Sequence, residues 1–113
     1  MGTVKQLEKR VGADKGLSLT AMVSAIKSGN LETVKLLLYR TKLPINSSGA
    51  TGHTALMWAA QWGKAGIVDY LLAEGADRSI TNKAGKTADR LAFEHGHRSL
   101  SAAIREFKLK KKK

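Results

Sequence analysis

Apolar residues in the middle of the chain recur at the spacing of two amphipathic helices. The first helix should begin after Thr54, whose hydroxyl can accept hydrogen bonds from free backbone N–H groups, and it should end near Gly63. The second should end at Gly75. The predicted buried faces are Leu56, Ala59 and Ala60 in the first helix and Ile67, Val68, Leu71 and Leu72 in the second. This pattern predicts a helix–turn–helix unit.

The same unit occurs more than once. Residues 52–56 (GHTAL) and residues 85–89 (GKTAD) begin the pattern 33 residues apart, and a further copy begins at Thr20. In that copy Gly29 lies 34 residues before Gly63, so one extra residue falls in the connecting loop. A period of this length predicts a stack of helical units, because a single unit cannot bury its apolar face alone.

The first residues of the chain fit an incomplete unit. Val4, Leu7 and Val11 form an i, i+3, i+7 stripe, as on one face of a helix. We therefore predict a single domain over residues 1–109, followed by a basic tail over residues 110–113. The predicted parts of the domain are an N-terminal half-repeat cap (3–16), a first repeat (17–48), a second repeat (49–81) and a C-terminal capping repeat (82–109).

The segment from Gly52 to Asp77, GHTALMWAAQWGKAGIVDYLLAEGAD, closely resembles an ankyrin repeat. The resemblance implies an all-α fold, an ankyrin-repeat α-solenoid of stacked helix–turn–helix units whose connecting loops project as fingers. The family's Thr-Pro-Leu-His signature reads TALM at residues 54–57, without its proline. In the last unit Ser101 and Arg105 replace apolar residues of the family pattern, and we expect both to face solvent, as suits a terminal repeat.

The resemblance also implies where a partner binds, since ankyrin domains typically bind proteins with their fingertips and the concave side of their first helices. The matching positions are Lys27, Thr51, His53, Gln61, Trp62, Lys83, Lys86, Glu94 and His95, with Leu19, Ser28, Ala50 and Ala84 beside them. Trp62 has two interpretations, a binding hot spot or a side chain that packs against Trp58. Trp58 itself is expected to pack between repeats. The implied function is a non-catalytic protein-interaction module or adaptor that binds a protein partner.

Charge is distributed unevenly along the chain, whose net charge is +11. Residues 105–113 carry six basic residues and one acidic residue, whereas residues 47–82 have a net charge of −1. The lysines of the basic end are Lys108, Lys110, Lys111, Lys112 and Lys113. Such a segment can attract an acidic protein, nucleic acid or anionic lipid, direct nuclear import, or only increase solubility. The alternative function is therefore a charge-driven adaptor for nucleic acid or acidic membrane.

The sequence offers little support for catalysis. The segment Glu94-His95-Gly96-His97, with Asp89 nearby, is a candidate metal site, but Gly-His is ordinary at this turn of the family and His95 falls at a variable exposed position. No phosphate-binding glycine loop and no nucleophile–base arrangement is recognisable. We therefore expect no enzymatic activity, no metal and no cofactor.

Cellular location and assembly are predicted from composition. The chain has no cysteine, which excludes disulfides and favours an intracellular protein, cytoplasmic and/or nuclear. It contains no run near the ~20 apolar residues of a membrane span. Met1-Gly2 begins a myristoylation motif, but Gln6 stands where that motif requires Ser or Thr, so lipidation of Gly2 stays open. We expect a monomer.

Overall fold

The computed structural model describes residues 15–108, which form three successive helix pairs. In chain order the helices are α1 (Lys15–Lys27), α2 (Leu31–Thr41), α3 (Ala55–Gln61), α4 (Ala65–Ala73), α5 (Ala88–Glu94) and α6 (Arg98–Glu106). Within this range the backbone forms no strand, only one isolated bridge between Ser48 and Thr54. The all-α class predicted from the sequence is confirmed. None of the described helices is long and apolar enough to cross a membrane.

The helices stack in two layers. The first helices of the pairs pack in series, α1 against α3 and α3 against α5, while α2 packs against α4 in the second layer. Within each pair the two helices pack antiparallel to one another across a short turn, as is usual for helices joined by so few residues. This arrangement places the loops that follow α2 and α4 side by side at one edge. We call them the first finger (residues 42–54) and the second finger (residues 74–87).

Local capping explains where the helices start. The Thr54 hydroxyl accepts a hydrogen bond from the Met57 backbone N–H at 3.3 Å, so Thr54 caps α3 as predicted. The Asn30 side chain caps α2 in the same way through the Thr33 N–H at 3.1 Å. Helix α1 begins earlier than this pattern implies, because Thr20, the residue that corresponds to Thr54, lies inside it. The predicted boundary between residues 16 and 17 therefore falls within α1, and residues 3–14 of the predicted cap lie outside the described residues.

The core lies between the helix layers. Its central members include Leu71, Val34 and Ile104, all with an exposed fraction of 0%. The buried faces predicted for the second repeat are confirmed, since all seven apolar residues of those faces are buried: Leu56, Ala59, Ala60, Ile67, Val68, Leu71 and Leu72. The alanines allow α3 to approach its neighbours closely, because their side chains add almost no width to the helix.

The two fingers are tied to each other by backbone and side-chain hydrogen bonds. The Lys83 N–H donates to the Thr51 carbonyl at 3.1 Å, and the Asp77 N–H donates to the Asn46 side chain at 2.8 Å. The tip of the second finger closes around Asn82, a buried residue whose side-chain oxygen accepts from the backbone N–H groups of Ala84 and Lys86. The fingers thus form a continuous edge of the molecule.

One prediction for the last repeat is wrong. Ser101 is 1% exposed instead of facing solvent, whereas Arg105 is exposed as expected. Ser101 lies three residues before the fully buried Ile104, and residues three apart share a helix face, so it is held against the core with Ile104. Its hydroxyl accepts a hydrogen bond from the Arg105 guanidinium at 3.3 Å, which satisfies the buried oxygen.

The second finger also holds the end of the last helix. The Arg78 guanidinium donates through Nη1 to the carbonyls of Ile104 at 2.6 Å and Phe107 at 2.7 Å. These carbonyls belong to the last turn of α6 and the residue after it, where the i→i+4 partners of a continuing helix are missing and only a long 3.4 Å hydrogen bond from the Phe107 N–H reaches Ile104. A positive charge at a helix C-terminus is favourable as well. Arg78 therefore joins two repeats and caps α6 at once.

We expect Arg78→Met to destabilise the domain by about 1.5–3 kcal/mol, because hydrogen bonds from a charged donor to two helix-end carbonyls are lost. Methionine retains an unbranched apolar chain in place of the aliphatic part of arginine, so the substitution removes mainly the guanidinium group. The matched control is Arg98→Met, since Arg98 is exposed and lies over the Phe93 ring at 5.5 Å without such carbonyl contacts. Urea denaturation measures both free energies of unfolding. Equal effects of the two substitutions would show that the Arg78 contacts add no stability.

Candidate partner-binding surface

Three aromatic rings stack in a row along α3 and the end of the first finger. The Trp58 ring stacks on His53 with centroids 4.2 Å apart and on Trp62 with centroids 5.0 Å apart, at interplanar angles of 20° and 21°. Trp58 and Trp62 are four residues apart, so helical geometry places one above the other on the same face. We call His53, Trp58 and Trp62 the aromatic column. All three side chains are half-buried, so the column has a packed side and a side open to solvent.

Both ends of the column are held by polar neighbours. At one end the Thr51 hydroxyl and His53 Nδ1 are hydrogen-bonded at 2.8 Å, which orients the imidazole. At the other end Lys27, the last residue of α1, places its Nζ 5.9 Å from the centre of the Trp62 ring. A cation at this distance is attracted by the ring face. The two interpretations of Trp62 are therefore compatible, since the side chain packs on Trp58 and still offers exposed surface beside a positive charge.

A second, polar cluster lies on the last repeat. Glu94 accepts hydrogen bonds from Lys86 Nζ at 2.6 Å and from Arg90 Nε at 2.8 Å. The pKa of the Glu94 carboxyl is lowered below its usual value, mainly by the hydrogen bond from Lys86 and next by the hydrogen bond from Arg90. The carboxylate thus stays ionised well into acidic solution, and the cluster presents a net charge of +1.

Three other predicted positions, Lys83, Gln61 and His95, take part in hydrogen bonds that involve backbone groups. Lys83 is exposed at the second finger and donates its N–H to Thr51. The Gln61 carbonyl accepts a hydrogen bond from His97 Nε2 at 3.2 Å, and His95 Nδ1 donates to the Leu91 carbonyl at 2.9 Å. The imidazoles of His95 and His97 are thus directed to different carbonyls. Among residues 15–108 no group of three or more His, Asp or Glu side chains is arranged to hold a metal ion.

The aromatic column forms one wall of an open groove. The groove lies between α1, the first finger and the column, with a volume of about 580 Å³. Its apolar walls include Val23 of α1, Leu43 and Pro44 of the first finger, and Trp58 of the column. Of the residues that line it within the described part of the chain, Lys27 alone carries a formal charge at neutral pH. We call this space the α1–finger groove.

The sequence reasoning found part of this surface. Of the predicted positions, the structure brings together Lys27, Thr51, His53 and Trp62, and separately Lys86 with Glu94. Lys108 is exposed, while Lys110, Lys111, Lys112, Lys113 and Gly2 lie outside the described residues. Sequence reasoning missed Trp58 as a surface element, although its four-residue spacing from Trp62 is a usable signal. It also missed the groove, whose walls come from distant parts of the chain and leave no local pattern.

Comparison with known families decides the classification. The family profile described as "Ankyrin repeats (3 copies)" matches residues 2–82 and, in an overlapping register, residues 22–106. Together these matches cover almost the whole chain.

The chain belongs to the ankyrin repeat family.

Several much longer proteins contain similar segments. The human NAD-capped RNA hydrolase NUDT12 is 36% identical over 73 residues, which is 65% of this chain and 16% of that protein. The BRCA1-associated RING domain protein 1 of Caenorhabditis elegans is 37% identical over 73 residues, 65% of this chain and 10% of that protein. Mouse ankyrin repeat domain-containing protein 63 is 32% identical over 89 residues, 75% of this chain and 23% of that protein. The chain thus corresponds to less than a quarter of the length of each relative.

In the ankyrin repeat family, repeats generally mediate protein–protein interaction and are typically not catalytic. Two members of the aromatic column, His53 and Trp62, stand at positions that the family resemblance implies for partner contact, whereas it implies packing between repeats for Trp58. Stacked indole rings provide a large, rigid contact area with few rotatable bonds.

Proposed function

We propose that this ankyrin repeat domain is a non-catalytic interaction module that binds a protein partner across the aromatic column and the adjoining fingers. The observation that carries the proposal is the stacked, half-exposed row of His53, Trp58 and Trp62 with Lys27 at its end. Aromatic side chains that are already ordered in the free protein lose little conformational entropy on binding. A partner that covers the column gains apolar contact at low ordering cost.

Charge supports the same surface. Lys27 and Lys83 have no carboxylate within salt-bridge distance among residues 15–108, so both ammonium groups are open to a partner's acidic side chains. Such charges steer association and set the preferred orientation more than they add affinity. The apolar column should therefore supply most of the binding free energy.

We expect Trp62→Ala to weaken partner binding by about 2 kcal/mol or more, because it removes the half-exposed indole ring at one end of the column. The control is Tyr39→Ala, since Tyr39 is also aromatic and is 77% exposed on α2, in the other helix layer. A partner is first captured from a native extract on the wild-type protein, purified, and titrated calorimetrically against all three proteins. Thermal melts of both variants establish that they are folded. Unchanged affinity of a folded Trp62→Ala variant would contradict the proposal.

The basic end provides a test against the charge-driven alternative. Removing residues 108–113 keeps Phe107, whose carbonyl oxygen becomes part of the new terminal carboxylate and can still accept the hydrogen bond from Arg78, so the domain should remain folded. Binding through the column should survive this deletion and depend only modestly on salt. Binding to a polyanion through several lysines should instead fall by orders of magnitude as salt is raised. Titration of the same partner at low and high salt, with and without the deletion, separates these two functions.

A further inference from the structure

The α1–finger groove continues directly from the aromatic column. It shares His53 and Trp58 with the column, so a partner that covers these two side chains also contacts the wall of the groove. Its volume of about 580 Å³ is in the range of cavities that hold small ligands. The groove therefore has enough space for one large aliphatic or aromatic side chain and the residues beside it. The remaining walls are mainly apolar and come mostly from α1 and the first finger, with Leu38 of α2 and the hydroxyl side chains of Ser24 and Ser47 among them. The groove is therefore chemically suited to an apolar anchor.

The rim of the groove is positively charged. Lys27 is exposed, and no residue of the described chain that lines the groove is acidic. Among residues 15–108 no carboxylate lies within salt-bridge distance of the Lys27 ammonium group. Glu94, at the end of α5, is already paired with Lys86 and Arg90. An incoming carboxylate therefore meets an unopposed cation at the rim, whereas an incoming ammonium group meets a like charge.

We propose that the α1–finger groove binds an acidic segment of a protein partner, with one large apolar side chain of that segment inserted between Val23 and Trp58. This inference rests on the proposed function and specifies the chemistry of the partner. Apolar burial in the groove provides affinity, and carboxylates beside the inserted side chain contact Lys27. A nucleic acid does not fit this description, because the groove is apolar and has a single cation, where phosphate backbones require several.

The probe is a library of randomised peptides displayed on phage and selected on the full-length protein. We expect selected peptides to combine Leu, Ile, Met or Phe with adjacent Asp or Glu. Each selected peptide is then synthesised in three forms: unchanged, with the apolar residue replaced by Ala, and with its acidic residues replaced by Gln or Asn. Fluorescence anisotropy should show about tenfold or greater loss of affinity for the Ala form, because a buried large apolar side chain is lost.

Charge changes at the groove test the second half of the proposal. Lys27→Gln should weaken the unchanged peptide about two- to fivefold, as for other rim ion pairs, and should not affect the peptide without acidic residues. Lys35→Gln is the matched control, because Lys35 also lies over an aromatic ring, Tyr70 at 5.3 Å, but on α2. Ala50 lines the groove and is exposed, so Ala50→Glu should weaken the acidic peptide and Ala50→Lys should strengthen it.

Several outcomes overturn the proposal. If Trp62→Ala weakens binding but the changes at Lys27 and Ala50 do not, the column binds peptides and the groove does not, so the proposed function stands without this inference. Failure to select peptides, or selection of peptides without acidic residues, overturns it as well. If Leu7→Asp raises peptide affinity, the groove is occupied by the chain's own N-terminal segment. If Val23→Asp abolishes a concentration-dependent dimer, it is occupied by a second copy.

Discussion

Replacing Leu71 by alanine should lower the free energy of unfolding by about 2–5 kcal/mol. Leu71 lies on α4, has an exposed fraction of 0%, and belongs to the core cluster between the helix layers. The substitution removes apolar contact and leaves a cavity that close-packed neighbours cannot fully refill. In a stack with so few interfaces, a loss of this size is a large fraction of the total stability of a small domain.

Leu36→Ala provides the matched control for this prediction. Leu36 lies on the neighbouring helix α2, and 55% of it is exposed, so the same chemical change removes little buried surface. Guanidinium denaturation followed by circular dichroism should show a large fall in midpoint for Leu71→Ala and a small one for Leu36→Ala. A cooperative and nearly unchanged transition of the Leu71→Ala variant would show that the helix face containing it is not the buried one.

Replacing Gly52 by alanine should lower the free energy of unfolding by about 2–4 kcal/mol, through two separate effects. Gly52 has φ of +81°, a conformation that costs about 1–2 kcal/mol for a residue with a side chain. A Cβ atom there would also lie 2.9 Å from the backbone nitrogen of Lys83. That nitrogen donates to the Thr51 carbonyl, so neither backbone can move without breaking the contact between the fingers.

Two other glycines separate these effects. Gly85 has φ of +78° but no atom within 4 Å of an added Cβ, so Gly85→Ala should show the backbone cost alone. Gly49 has neither a positive φ nor a neighbour within 4 Å, and Gly49→Ala should be close to neutral. Denaturation should therefore rank the variants Gly52, Gly85 and Gly49 in order of decreasing cost. Equal costs at Gly52 and Gly85 would mean that the fingers do not approach each other as closely as the structure has them.

The sequence predicted the helices best where apolar periodicity and capping agree. Thr54 caps α3 and Leu71 is buried, because both properties follow from residues within one or two helical turns. The prediction failed at Ser101, because a small polar side chain can lie on the buried face of a helix when it stands three residues from a core residue such as Ile104. Helix geometry placed the small hydroxyl in the core, and a hydrogen bond from Arg105 made that placement acceptable.

By itself the sequence determined the repeat, the helix faces and the family, because these depend on periodicity and on residues close together in the chain. The tertiary structure decided the binding surface. The contact of Lys27 with Trp62, the hydrogen bonds of Arg78 to the end of α6 and the walls of the α1–finger groove join residues that are distant in the chain. Their distances depend on how neighbouring repeats pack and how the fingers align, which no local pattern of residues encodes.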